Sequence, residues 1–212
     1  MAKATIINLG FGNLYGLNQA LLAAGFNSEI SENFEDANNS DALILPGVGS
    51  FGNGIDKLKN SGWYSVVQEW IAQNRPLLGI CLGMQLLFEK SYEFGEHKGF
   101  GQFKGNVQPI IKDNNDRVPK MGWYNLVTTN DNQKKKMQDI GLDPNERVYF
   151  VHSFGAKTDN DENVTAYVEY SNQRYIAAIQ KQSVWGVQFH PENSADNGIN
   201  FLKSFYEFTK AS

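Results

Sequence analysis

The segment from Arg75 to Lys90 constrains the fold more than any other part of this chain. Pro76 opens an apolar run, Leu77 to Ile80, too short for a helix and bounded by Pro and Gly. A strand buried on both faces has this form. The chain then turns at Cys81, and Met84, Leu87 and Phe88 follow at helical spacing, so a strand is predicted to pass directly into a helix. Gly79 and Gly83 stand two residues either side of Cys81. This is the small-x-nucleophile-x-small layout of a nucleophile elbow, where strand and helix approach too closely for a Cβ. A thiol at the first turn of a helix faces unsatisfied N–H groups and the positive end of the dipole, both of which favour the reactive thiolate. The N–H of Leu82 would point at an oxyanion formed by attack on a carbonyl. The alternative is a buried structural cysteine.

At 212 residues the chain has room for a substantial core and is expected to form a single domain over 1–212. A net charge of −4 argues against a nucleic-acid surface, and the basic run Lys134 to Lys136 fits a solvated helix face. No apolar segment approaches the roughly 20 residues that span a bilayer, and Met1-Ala2-Lys3 leads straight into a strand rather than a signal peptide. One cysteine excludes an internal disulfide and suits a reducing cytoplasm.

Thr5 to Leu9 is expected as the first strand. It is followed by a glycine turn at Gly10 to Gly16 and a helix with Leu14, Leu17, Leu21 and Leu22 on one stripe, ending at Gly25. The glycines only loosely echo a dinucleotide-binding loop, so a tight turn is preferred. Ser28 to Ile30 is a weak strand, Asp36 to Ser40 a polar turn, and Ala42 to Leu45 a fully apolar strand. That strand runs into a glycine-rich loop, Pro46 to Gly54, whose backbone N–H groups could approach a ligand closely. Val66 to Ala72 is helical, with Val66, Val67, Trp70 and Ile71 sharing a face. The alternation implies an α/β fold: a mostly parallel central sheet flanked by helices.

After Lys90 the texture changes. Strands are expected at Val107 to Ile111, Gly122 to Val127, Val148 to Val151, Thr165 to Tyr170, Tyr175 to Ile179 and Val184 to Phe189. Polar loops break them at Asp113 to Arg117 and Thr158 to Asn163. Lys134 to Ile140 is a short helix, and Asn197 to Thr209 a final one carrying Ile199, Leu202, Phe205 and Phe208. This half reads as an antiparallel extension of the parallel sheet. Its last strand ends in Gln188-Phe189-His190-Pro191-Glu192. Residues two apart in an extended segment point the same way, so Glu192 can orient the His190 ring while His190 shuttles protons for Cys81. Cys, His and an orienting carboxylate make a triad by role.

With these motifs in view the chain resembles the class I (triad-type) glutamine amidotransferases, flavodoxin-like in fold. Within that class it is most similar to the glutaminase subunits of imidazole glycerol phosphate synthases, from histidine biosynthesis. The segments that carry the likeness are Gly12-Asn13-Leu14, Pro46 to Phe51, Gly79 to Glu89, Met121-Gly122-Trp123, Phe150 to Phe154 and Val187 to Glu192. The resemblance implies Cys81 as nucleophile, His190 as base and Glu192 as its orienter. It implies oxyanion donors at Val48, Gly49 and Leu82, and contacts to L-glutamine from Gly49, Gln85, Glu93, His152, Ser153 and Phe154. It implies no cofactor and no metal. Its partner would be a (β/α)8-barrel cyclase forming a heterodimer and receiving ammonia, with Met121, Gly122, Trp123 and Tyr124 at the interface. The family usually has a basic residue and serine where this chain has Tyr15-Gly16, and Pro-His-Met-Gly-Trp-Asn where it has Pro119 to Tyr124 with Lys120. Those departures leave open a paralogue serving a related cyclase, such as a sugar-amidinating one. A non-catalytic binding module of the same fold is a further alternative.

Overall fold

The computed structural model describes residues 1–111 and 117–212. In chain order the first half comprises β1 (Lys3–Ile7), α1 (Leu14–Ala24), β2 (Asn27–Ser31), β3 (Ala42–Leu45), α2 (Phe51–Asn60), α3 (Trp63–Ala72), β4 (Leu77–Ile80) and α4 (Leu82–Leu86). The second half comprises β5 (Phe88–Ser91), β6 (His97–Lys98), β7 (Phe103–Pro109), β8 (Lys120–Asn125), α5 (Asp131–Asp139), β9 (Arg147–His152), β10 (Phe154–Lys157), β11 (Val164–Tyr170), β12 (Gln173–Lys181), β13 (Val184–Val187) and α6 (Ala195–Ala211).

The main sheet runs β11-β12-β13-β4-β3-β1-β2. Pairings from β2 through β13 are parallel, whereas β13–β12 and β12–β11 are antiparallel. This is the expected parallel sheet with an antiparallel extension. Successive side chains of a strand point to opposite faces, and the central strands divide their residues accordingly. Ile6, Ile44, Leu78 and Ile80 face a core shared with α1 and α6, while Ile7, Leu43, Leu45 and Leu77 face one shared with α2, α3 and α4. Both faces are thus covered, which is why β3 and β4 read as unbroken apolar runs and end where the sequence predicts.

Several expectations shift. The first strand starts two residues earlier than predicted and ends at Ile7, although Leu9 is still buried. Leu22 is exposed, because the inward face of α1 is Leu17, Ala20, Leu21 and Ala24. Asp36 to Ser40 falls largely within a 3₁₀ turn, Phe34–Asn39. The glycine loop is shorter than predicted, since α2 begins at Phe51. Gly52 and Gly54 lie within that helix, where they permit close packing on His97 and on Leu82 and Leu86. Except for Arg117, the predicted loop Asp113 to Arg117 lies outside the described residues.

The largest correction concerns the helix after Cys81, which stops at Leu86; Phe88 already belongs to β5. The segment Gly99 to Phe103 supplies the reason. N–H groups of Gly99, Phe100, Gly101 and Phe103 donate to the carbonyls of Glu89, Leu86, Phe88 and Leu87, taking acceptors a longer helix would need. Phe88 keeps its buried role and packs on Phe103 with ring centroids 5.6 Å apart. The short β5, β6 and β10 escaped prediction and join β7 in a four-stranded sheet, while β8 and β9 form a separate ribbon.

The elbow itself is as tight as the glycines imply. Cys81 sits at φ 55° and ψ −111°, a strained conformation for a residue with a Cβ. A Cβ on Gly83 would lie 1.7 Å from the Leu45 carbonyl oxygen, and one on Gly79 would lie 2.9 Å from Gly83. Gly83→Ala therefore has no space to relax into and is expected to cost about 3 kcal/mol or more of folding stability. A urea midpoint unchanged from wild type would contradict this.

Candidate active site

The C-terminal ends of β3, β4 and β13 converge on the Cys81 sulfur. The elbow carries Cys81 to the rim of a cleft of about 250 Å³ lined by Val48, Gly49, Cys81, Leu82, Gln85 and Glu93 on one side and by Pro119, Val151, His152, Ser153 and Phe154 on the other. Every residue expected to supply an oxyanion donor or a glutamine contact lies on this one surface. The helix behind Cys81 has only five residues, and none of its N–H groups caps onto the Cys81 side chain, so the expected first-turn donors and long helix dipole are not what acts on the sulfur.

His190 and Glu192 approach from just beyond β13. A 3₁₀ turn, Pro191–Asn193, follows His190, whose backbone N–H is held by the Tyr149 carbonyl at 2.9 Å. His190 Nδ1 pairs with Glu192 Oε1 at 2.9 Å, both side chains being largely buried. His190 Nε2 is buried with no hydrogen-bond partner among the described residues. Burial is the largest single influence on this imidazole and favours its neutral form. The adjacent Cys81 sulfur and the Glu192 carboxylate together outweigh it and push the pKa up to about 10. Cysteine, histidine and carboxylate thus stand in the order that proton transfer to and from sulfur requires.

The second histidine behaves oppositely. His152 Nδ1 lies 2.7 Å from the Phe154 carbonyl and Nε2 lies 2.9 Å from the Tyr170 hydroxyl. A carbonyl only accepts, so Nδ1 carries the proton and Nε2 accepts from Tyr170. Burial foremost, aided by the charge on His190 and opposed by the Phe154 carbonyl, lowers the His152 pKa to about 4. Burial also pushes the Tyr170 phenol upward, keeping its hydroxyl protonated as a donor.

Three expected residues are engaged in ways the sequence did not reveal. The Glu93 carboxylate accepts from the Phe51 N–H at 2.7 Å, capping the start of α2. Gln85 Nε2 donates to the Phe154 carbonyl at 2.9 Å and to Gln188 Oε1 at 2.8 Å. The Leu82 N–H donates to the Gly47 carbonyl at 3.3 Å. Met121 and Trp123 lie outside the cleft, 60% and 46% exposed on the outer face of the ribbon. Tyr124 turns inward, edge-on to Tyr170 with ring centroids 4.9 Å apart. Gln188 and Tyr170 were not anticipated. Gln188 could have been flagged by the same two-residue alternation that links His190 to Glu192, but Tyr170 meets His152 only through tertiary packing.

The two histidines give stability opposite pH slopes. His190, raised in the folded state, contributes fully below its unfolded value of about 6.5, and the contribution is lost as pH rises toward 10. His152, lowered in the folded state, contributes above 6.5, and the contribution is lost as pH falls toward 4. Unfolding free energies from urea titrations should therefore peak near neutral pH. His152→Gln should flatten the acid limb and Glu192→Gln the alkaline one; limbs indifferent to both substitutions would contradict the assignment.

The family model for Glutamine amidotransferase class-I matches residues 5–207. Imidazole glycerol phosphate synthase subunit HisH from Lactococcus lactis is 42% identical over 98% of this chain and 99% of its own length. The subunit of that name from Wolinella succinogenes is 40% identical over 95% and 98%, and that from Aquifex aeolicus 38% over 96% and 95%. Among solved structures, a glutamine amidotransferase superposes with a TM-score of 0.71 at 16% identity, over 98% of each chain. PurLQS from Thermotoga maritima superposes with a TM-score of 0.66 at 18% identity, over 100% of this chain and 99% of its own. These two establish likeness of fold. The model match and the full-length relatives together show that the chain belongs to the class-I glutamine amidotransferase family, among its imidazole glycerol phosphate synthase HisH subunits.

Proposed function

We propose that this chain is the glutaminase subunit of imidazole glycerol phosphate synthase. It hydrolyses L-glutamine to glutamate and ammonia in the cytoplasm and passes the ammonia to a (β/α)8-barrel cyclase in a heterodimer. That partner makes imidazole glycerol phosphate and AICAR in histidine biosynthesis. The observation that carries the reading is the Cys81 elbow, with the His190–Glu192 pair at 2.9 Å beside the sulfur. The chemistry follows from the roles. The sulfur attacks the side-chain amide carbonyl of glutamine, and His190 gives a proton to the leaving ammonia. His190 then takes a proton from the water that hydrolyses the thioester. Glu192 holds the ring by accepting from Nδ1. Gln85 spends both amide protons inward, so its oxygen and the Glu93 carboxylate are the cleft groups suited to the substrate ammonium, while backbone N–H groups from His152 to Phe154 suit its carboxylate. Residues 1–212 act as one amidotransferase domain.

The paralogue reading rests on Tyr15-Gly16, of which Tyr15 is 72% exposed, and on the pair Lys120 and Tyr124. Both side chains lie against the Tyr170 ring, Lys120 with its Nζ 5.3 Å from the centroid. The two departures therefore fall on one inward contact, and the outward Met121 and Trp123 keep the family's partner-facing pattern. On the ribbon this favours the histidine-pathway cyclase as partner, while the exposed Tyr15 leaves the paralogue as the second reading.

Cys81→Ala should abolish glutamine hydrolysis in the assembled complex, while free NH₃ supplied at high pH still supports synthesis by the partner. Glutaminase activity above about one percent of wild type, or failure of ammonia to rescue, would count against the assignment. His190→Ala should cost roughly 10²–10⁴-fold in rate, and Glu192→Ala less, since it orients rather than transfers.

The oxyanion donors suggest control by the partner. The Gly47 carbonyl occupies the Leu82 N–H at 3.3 Å, so the Gly47–Val48 peptide turns its oxygen, not its Val48 N–H, toward the elbow. Gly49, at φ +99° with open space where a Cβ would lie, leaves that peptide room to turn over. Turning it would release Leu82 and present Val48 as a second donor. A missing donor costs roughly 10²–10³ in rate. The chain alone should therefore be a poor glutaminase, accelerated by about that factor with the cyclase and its ligand bound. Equal steady-state rates for the chain, the complex and the liganded complex would refute the switch.

A further inference from the structure

Gln188 is fully buried, and its amide NH₂ has no part in the proposed reaction steps. Its backbone N–H donates to the Ala177 carbonyl at 2.9 Å, extending the β12–β13 pairing one residue toward His190. Its side chain lies between two groups of the cleft: Oε1 accepts from Gln85 Nε2 at 2.8 Å, and Nε2 lies 3.6 Å from the Cys81 sulfur. A glutamine amide can be turned either way, but this one has its direction fixed from the far end of a chain of bonds. The Phe154 carbonyl only accepts, so Gln85 must face it with nitrogen. That nitrogen has a second proton, which goes to the oxygen of Gln188. Gln188 is left with only its NH₂ end for the sulfur.

We propose that Gln188 is a positioning residue for the Cys81 sulfur: from its fully buried place its amide N–H holds the sulfur and stabilises negative charge on it. Gln85 and the Phe154 carbonyl fix the end of the amide that does so. The inference rests on the glutaminase reading only in treating this sulfur as the nucleophile. A hydrogen bond to an ionised acceptor is stronger than a neutral one and favours the ionised form. His190 supplies charge to the same sulfur; Gln188 supplies a donor that carries no charge and does not titrate. The other ionisable groups around the sulfur are Glu192, bound to His190, and Glu93 and His152 on the cleft wall, while the Val151 carbonyl lies 3.9 Å away as an acceptor. None of them duplicates the neutral donor.

Iodoacetamide alkylation tests this directly, because Cys81 is the single cysteine of the chain. The full-length chain is compared with Gln188→Met, which keeps the length and removes the donor, and with Gln188→Glu, which keeps the shape and turns an oxygen to the sulfur. Gln188→Met should be alkylated about tenfold more slowly at pH 7, its pH–rate profile displaced to higher pH with the same plateau. Gln188→Glu should be displaced further. Folded variants whose profiles coincide with wild type, or a faster Gln188→Glu, would overturn the proposal; a purely structural role would lower the urea midpoint without moving the profile. Should both variants fail to fold, the unmodified chain still decides. The Gln188 side-chain amide resonances should follow the pH profile of alkylation in wild type and lose that dependence in Cys81→Ser; resonances blind to both would overturn it. Alkylation needs neither glutamine nor a partner. Loss of the glutaminase reading would therefore appear as wild-type complex inactive on glutamine, independently of the profile.

Discussion

The structure depends on a steric constraint at one turn. Between β4 and α4 the chain reverses in a single residue, and Cys81 takes a positive φ to do it. The turn is held because α4 lies against β3, so close that the Leu45 carbonyl occupies the space of a Gly83 Cβ. Fully buried strands on both sides, β3 and β13, leave the turn no route to relax. The same crowding puts the sulfur outside the sheet's end, where β13 delivers His190 and Glu192. Strain, sheet order and the meeting of cysteine with histidine are consequences of one packing arrangement.

The parts of the fold legible in the sequence are those where burial dictates residue type. Ala42–Leu45 and Leu77–Ile80 are bounded correctly because strands covered on both faces admit nothing polar. Phe88 shows the limit. Its spacing from Met84 suits a helix and its burial is real, but backbone donors from Gly99 to Phe103, distant from it in sequence, claim the carbonyls and make it a strand residue. Local periodicity carries no information about such a competitor. The cleft follows the same division. Cys81, His190 and Glu192 were legible from the spacing of short motifs, whereas Tyr170 enters only because β11 lies beside the ribbon, and Glu93 gains its capping bond across forty-two residues.

Lys120 and Tyr124 illustrate why departures from a family pattern need a structure before they are weighed. In sequence they flank Met121 and Trp123 and look like changes to a partner surface. Alternation along β8 separates them: Met121 and Trp123 face outward, and Lys120 and Tyr124 face inward onto Tyr170. The Tyr170 hydroxyl in turn holds the neutral His152 ring, whose other nitrogen holds Phe154. The two departures thus fall on the support behind the cleft wall, not on the outer face of the ribbon.

Phe154 is where that support meets the proposed nucleophile. Its carbonyl accepts from both His152 and Gln85, and through Gln85 and Gln188 the bonds continue to the Cys81 sulfur. Such contiguity gives rigidity, but a chain of satisfied bonds with one arrangement transmits no signal; coupling requires an element with two. Along this path every donor and acceptor has its direction forced by an acceptor-only carbonyl, so no second arrangement is available without breaking a buried bond. The Gly47–Val48 peptide is different. It is bound to Leu82 at 3.3 Å and followed by a glycine with open space beside it. Of the two, only the Gly47–Val48 peptide has room for the second arrangement that the proposed control requires, and the Phe154 network is a fixed frame beside it.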